Sequence, residues 1–258
     1  MRVCLLASGS KGNAIYIEAA GTRLLVDAGL SARELAARLD SIGVDGENLD
    51  ALLVTHEHQD HCRGLGPMAR RYGLPVHIHH RTLDALPNPG RLDNLEEFDA
   101  GAVFQIGELQ VVTVPVTHDA ADPVGFIIET PAGKVGIATD LGIATRLVRQ
   151  SYQGCRVLVL ETNHDPDLLR DGPYPWPLKQ RIRSRHGHLS NEDGAELLAD
   201  LLWDGLDAVF LAHLSETNNT PDHARRAVQN VLNGQTVCQP QLHIGWQDRP
   251  SVCLNLQA

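Results

Sequence analysis

Apolar positions along this chain recur in two rhythms, and the rhythms mark its elements. Short runs closed by Gly, Ser or Asn, such as RVCLLA (2–7), AIYIEA (14–19) and RLLVDA (23–28), read as strands. SARELAARLDSIG (31–43) sets Leu35, Leu39 and Ile42 on one helical face, with Ser31 as N-cap and Gly43 as stop. DALLVT (50–55) reads as a buried strand, GLGPMARRYG (64–73) as a short helix and LPVHIH (74–79) as a strand. From about Phe104 to Asp140 the chain is strand-rich, and ETPAGK (129–134) joins two of its strands as a hairpin turn. IATRLVRQSYQG (143–154) reads as a helix, RVLVLET (156–162) as a strand, and the Pro-rich residues 165–178 as irregular. Helix SNEDGAELLADLL (190–202), strand DAVFLAH (207–213) and helix TPDHARRAVQNVLNG (220–234) follow, with closing strands at QLHIGW (241–246) and SVCLNL (251–256). No repeat, low-complexity tract or linker interrupts this order, so residues 1–258 are expected to form one domain.

Composition narrows the class. A chain of 258 residues, 43% hydrophobic and 21% charged, can bury the core of a layered sandwich. No apolar run is long enough to span a bilayer, and the opening MRVCLLASGSKGN turns polar too early for a signal peptide. A cytoplasmic location and no membrane partner are the expectation. The five cysteines are scattered and form no CxxC pair, which fits reduced thiols. A net charge of −10 disfavours nonspecific nucleic-acid binding, so any basic track must be local.

Thirteen histidines turn attention to metal, and HEHQDH (56–61) concentrates three of them with a Glu and an Asp after a buried strand. Position 60 is Asp, so the helical zinc motif HExxH is not met. An irregular loop with this spacing can point His56 and His58 at one ion and Asp60 and His61 at a second. Three more ligand-type residues end buried strands: His118, Asp140 and His213. Imidazole with carboxylate suits zinc, manganese or iron. Two such ions can share a hydroxide and clamp a phosphoryl oxygen. GSKGN (9–13) is not a Walker loop, because its Lys precedes the second Gly. It reads as a tight turn that brings Asn13 to the site rim. His77, His79 and His80 lie together in one strand and read as structural.

The order HxHxDH, His, Asp, His resembles the metallo-β-lactamase fold superfamily, as do LASGSKGNAIYI and LLVDAG before it. The resemblance implies an α+β fold, a four-layer αββα sandwich with the metals at one edge between two sheets. It implies two divalent metal ions. His56, His58 and His118 would hold one, Asp60, His61 and His213 the other, and Asp140 would bridge, with Asp27 behind the ligands orienting the loop. In the phosphodiesterase branches an acidic residue and an extra His flank the metals, a pair that Glu161 and His188 would match. Asp60, His188 and Glu161 are then the expected catalytic groups, with His164 a further candidate.

PLKQRIRSRHGHLSN (177–191) is the one basic run, with Lys179, Arg181, Arg183 and Arg185. Lys179 and Arg183 would share one helix face, and Arg181 and Arg185 another. The run is either a phosphate-backbone track towards the metals or a solvated helix. Tyr174 and Trp176 before it either stack on bases or anchor their loop. YPWPLKQRIRSRHGHLSN and LAHLSETNN look most like the YycJ/WalJ-type subgroup of the superfamily. That likeness implies a metal-dependent exonuclease acting on DNA from the 5′ end. The large insertion of β-CASP nucleases and the tRNA-gripping arm of tRNase Z are both missing. Two rivals stand beside this reading: a same-fold hydrolase of a small thioester, lactone or phosphodiester, and a metalloprotein without catalysis.

Overall fold

Alternation along each strand sends one set of apolar side chains towards a facing sheet and the other towards helices. The computed structural model describes residues 1–257. In β1 (Arg2–Ala7), Val3 and Leu5 pack into the layer between the sheets, while Cys4 and Leu6 pack under helices. β2 (Ala14–Ala19) and β3 (Thr22–Val26) continue antiparallel to it, and α1 (Ala32–Ser41) leads to β4 (Ala51–Leu53), parallel to β3. α2 (Gln59–Cys62), α3 (Leu65–Tyr72), β5 (Val76–His79), α4 (His80–Ala85) and β6 (Leu95–Phe98) complete the first half. The second half runs β7 (Val103–Ile106), β8 (Leu109–Pro115), β9 (Val124–Thr130), β10 (Gly133–Ala138), α5 (Arg146–Ser151) and β11 (Cys155–Glu161). It continues with α6 (Pro166–Asp171), α7 (Trp176–Ile182), α8 (Asn191–Leu201), β12 (Ala208–Ala212), α9 (Pro221–Asn233), β13 (Gln241–Ile244) and β14 (Leu254–Asn255).

The strands form two mixed seven-stranded sheets, ordered β14-β1-β2-β3-β4-β5-β6 and β13-β12-β11-β10-β9-β8-β7. Leu24, Val26 and Leu53 of the first meet Phe126, Ile137 and Phe210 of the second in a shared apolar layer. Leu35, Leu39 and Met68 cover the first sheet from outside, and Leu197, Leu198 and Val228 cover the second. This is the expected αββα sandwich. Its topology places the site. β3 and β4 run parallel, as do β10, β11 and β12, and β8 points the same way through two antiparallel pairings. The carboxyl ends of these strands therefore open on one edge, where parallel arrays place their ligands.

Four expectations need correction. Residues 165–178 are not irregular throughout. Asp165 caps α6 through the N–H groups of Asp167 and Leu168, and Pro166 and Pro177 sit in first turns, where a missing N–H costs nothing. HEHQDH is not all loop, since His58 is the N-cap of α2 and puts Asp60 and His61 on a helical turn. His77, His79 and His80 do not share one strand: His79 ends β5, its Nδ1 accepts from the Arg81 N–H at 3.2 Å, and His80 begins α4. The strand expected over 251–256 shrinks to two residues.

Candidate metal centre

Strand ends supply the ligands, and the backbone turns sharply there. Asp27 follows β3, Asp140 follows β10 and His213 follows β12, with φ of 62°, 57° and 55°. These left-handed values are uncommon for residues other than Gly. The loop 56–61 is held against them by main-chain bonds: Asn13 N–H to Asp60 O at 2.7 Å and Ala28 N–H to His61 O at 2.7 Å. Only Gly fits at position 29, because a Cβ there would lie 1.7 Å from Asp60 O.

The hydrogen bonds sort the imidazole nitrogens. His61 Nδ1 lies 2.7 Å from Asp27 Oδ2, His118 Nδ1 lies 3.0 Å from Gly187 O, and His213 Nδ1 lies 3.0 Å from Glu161 Oε1. His56 Nδ1 lies 3.0 Å from Thr55 Oγ1, whose own proton goes to Asp27 Oδ2 at 2.9 Å. Each bond suits an Nδ1–H and makes Nε2 the nitrogen that faces a metal once it is deprotonated, as metal-binding histidines require. His58 differs, presenting Nδ1 to His118 Nε2 at 3.3 Å.

The free ligand atoms gather in two adjoining groups. His56, His58 and His118 form one, and Asp60, His61 and His213 the other. Asp140 lies between them, with Oδ2 3.3 Å from His61 Nε2 and Oδ1 3.9 Å from His118 Nε2. His56 Nε2 and Asp140 Oδ2 are buried without a hydrogen bond in the protein. A buried polar atom left so costs roughly 1–3 kcal/mol, and a cation satisfies both. The residues present therefore fit metal ions.

Electrostatics agrees with that fit. Burial opposes the charged forms throughout, yet mutual attraction outweighs it at several positions. Asp140, Asp60 and Glu161 overcome burial to raise His213 to about 10, and Asp140, Asp60 and Asp27 hold His61 well above the usual imidazole range. His61 and His213 hold Asp60 and Asp140 below the usual carboxylate range despite burial. Burial drives His56 and His118 down, keeping their rings neutral. The cage thus keeps its carboxylates ionised and balances them with protons on His61 and His213, which a cation would displace.

Above the ligands is a pocket of about 210 Å³, walled by Asp119, Tyr174, Leu178, Arg181 and His188. His188 is fixed through Nδ1, 2.8 Å from Glu161 Oε1. Glu161 is wholly buried, and its other oxygen accepts from Leu141 N–H at 2.8 Å and Leu189 N–H at 3.2 Å. Expected to flank the metals as a catalytic group behind His188, it has both oxygens engaged and no face on the pocket, and it contacts His188 and His213. His164 is buried outside the pocket, its strand bridge made with Ser190. Cys62 gives its thiol hydrogen to His56 O at 3.0 Å, and burial pushes the thiol well up, away from thiolate ligation.

The basic run does not form one track. α7 ends at Ile182, and the chain folds back so that His188 N–H reaches Ile182 O at 2.9 Å. Arg183, the C-cap of α7, still donates its N–H to Lys179 O at 3.1 Å and so stays one turn from Lys179, whereas Arg185 lies beyond the helix and the face expected for Arg181 with Arg185 is not made. Lys179 Nζ donates to the carbonyls of Arg170 and Gly172, both at 2.7 Å, and closes the end of α6. Arg181 pairs with Asp119 on the pocket wall. Arg183 and Arg185 line a separate depression. Tyr174 lines the metal pocket, and Trp176 is 59% exposed. Sequence reading missed Thr55, Asp119 and Asn163. Thr55 and Asp119 directly adjoin ligand histidines. Asn163 lines the pocket and donates to His213 O at 2.9 Å.

Comparison with known proteins agrees with this arrangement. A profile of the β-lactamase superfamily domain matches residues 22–214. The chain is 38% identical over 231 residues to "Exodeoxyribonuclease YycJ" of Bacillus anthracis, covering 88% of each chain. It is 37% identical over 233 residues to "Exodeoxyribonuclease WalJ" of Streptococcus pneumoniae serotype 2, covering 88% of this chain and 87% of that one. Among solved structures, the metallo-β-lactamase fold protein YhfI of Bacillus subtilis superposes with a TM-score of 0.75 over 96% of this chain and 98% of its own. At 16% identity that likeness speaks to the fold alone. With its His/Asp centre and these relatives, the chain belongs to the metallo-β-lactamase superfamily and is a metal-dependent hydrolase.

Proposed function

We propose that this protein is a dinuclear phosphodiesterase that shortens DNA from the 5′ end, with residues 1–258 acting as one catalytic unit. The observation that carries the dinuclear reading is the pair of three-ligand groups meeting at Asp140. The names of the YycJ and WalJ relatives, at 38% and 37% identity, support DNA as the polymer. His56, His58 and His118 would hold one ion, and Asp60, His61 and His213 the other, with zinc, manganese or iron suiting the donors. Bound divalent ions acidify water and neutralise charge on a phosphoryl group.

The chain's own groups supply the rest. Asp60, a quarter exposed at its side chain, faces the pocket, orients the attacking water and receives its proton. His188, fixed by Glu161, presents Nε2 to the leaving oxygen and donates a hydrogen bond or proton there. Arg181 on the wall offers its guanidinium fork to a non-bridging phosphate oxygen.

The test is cleavage of end-labelled single- and double-stranded DNA and RNA with zinc or manganese, comparing wild type with Asp60→Ala. Loss of terminal nucleotides from DNA in wild type alone is expected; an inert wild type carrying its metals would end the nuclease reading. The pocket's small volume favours one rival, a hydrolase of small phosphodiesters. Turnover of a dinucleotide without turnover of longer DNA would establish that alternative.

A further inference from the structure

The turn 184–188 has the metal pocket on one side and a second depression, about 360 Å³, on the other. Gly187 and His188 wall the first, whereas Arg183, Arg185 and Leu189 wall the second. Gly142, two residues beyond Asp140, belongs to the second. It packs so closely beneath the turn that a Cβ would lie 2.2 Å from Arg185 O. The acids of the depression are already engaged. Asp193 accepts from Ser190 Oγ at 2.7 Å and from Ser190 N–H at 3.1 Å, and Glu196 pairs with Arg149 at 2.9 Å. Among the described residues, the exposed Arg183 and Arg185 have no carboxylate partner.

We propose that this depression is a second phosphate site, which holds the DNA backbone away from the bond being cut. The inference rests on the phosphodiesterase reading and gives it a second contact. A chain of net charge −10 repels DNA over most of its surface, so the backbone settles where exposed cations are not paired with a carboxylate. Guanidinium forks match phosphate oxygens. Arg181 does not belong to this site, since it stands on the wall of the metal pocket. Backbone contacts of this kind set position and carry no sequence information. The site therefore takes the phosphodiester backbone of any base sequence, from the cut strand or from its complement.

The experiment compares wild type with the double variant Arg183→Ala/Arg185→Ala, both loaded with metal and matched for metal content and melting temperature. Hydrolysis of bis(p-nitrophenyl) phosphate by wild type tests the underlying reading alone. If wild type hydrolyses neither the small ester nor DNA, that reading fails and not merely this extension. The ratio of kcat/KM on DNA to that on the small ester is expected to fall about 10-fold in the variant, through KM. The slope of log affinity against log salt is expected to become shallower by up to about 1.4 on single strands. A loss on single strands of increasing length assigns the site to the cut strand, and a loss confined to duplexes assigns it to the complement. An unchanged ratio and salt slope on both kinds of DNA overturns the inference. So does an equal loss on the small ester, which would place the arginines at the metals.

Discussion

Thr55 Oγ1 lies 3.0 Å from His56 Nδ1 and thereby decides which nitrogen of that ring is left for a metal. The same hydroxyl donates to Asp27 Oδ2 at 2.9 Å and lies 3.3 Å from His61 Nδ1, so one oxygen touches the supports of both ligand groups. Valine has the same shape without the hydroxyl. Thr55→Val is expected to weaken metal binding by about 10–100-fold, while Thr55→Ser stays near wild type. Calorimetric titration of chelator-stripped protein measures this, and unaltered binding by the valine variant would show that the hydroxyl orients nothing.

His188 touches the pocket and lies outside both ligand groups of three, though it clusters with Asp140, Glu161 and His213, so its removal tests whether it serves chemistry or metal binding. His188→Ala is expected to lower kcat on DNA by about 100-fold with metal content unchanged. Glu161→Gln is expected to lower both, because it orients His188 and the ligand His213 together. Elemental analysis beside the rate assay distinguishes the two patterns.

Protons compete with ions for this cage. In metal-free protein His213 is raised to about 10 and His61 stands well above its usual range. Both carry protons at neutral pH, and both must lose them to ligate. Metal uptake at neutral pH is expected to release at least one proton, read from titrations in buffers of different ionisation enthalpy. The stability consequence has a definite sign. The raised His213 stabilises the metal-free fold fully below 6.5 and loses that contribution as pH climbs through about 10. Metal-free protein should therefore melt progressively lower over that window, and metal-loaded protein should not share that decline.

His164 gives the opposite dependence. Burial lowers it from 6.5 to about 4, so the folded protein resists a proton that the unfolded chain accepts. Stability falls as pH drops from 6.5 towards 4, by up to about 1.4 kcal/mol per pH unit. His164→Asn is expected to flatten that slope in urea denaturation, and a slope unchanged by the substitution would assign the acid sensitivity to other groups.

Strand-end ligands were legible because a buried run breaking into His or Asp is visible one residue at a time, as at His118, Asp140 and His213. The resemblance added their grouping. Thr55 was not legible, since its partner Asp27 lies 28 positions back and meets it only through the pairing of β3 with β4. Charge counting overread the basic run. A helix continued to Arg185 would have kept its cations on shared faces. The return of the chain from Ile182 to His188 distributes them among a helix end, a pocket wall and a second depression. Prolines mislead for a related reason: at 165–178 they read as interruptions, where two of them sit in first helical turns.

The left-handed turns at Asp27, Asp140 and His213 also determine when the cage takes shape. Such a conformation costs an L-residue roughly 1–2 kcal/mol, and each of these turns falls just beyond the end of a buried strand. A centre shaped by these strand ends is expected to be preorganised by folding. Chelation should leave an intact template, and returning the ions should restore activity at the pace of binding and proton loss, with no refolding phase. Asp27→Asn and Asp140→Asn are the substitutions that suit this backbone while removing a charge, because Asn tolerates the same turn. They can show how much of the centre is geometry and how much is charge.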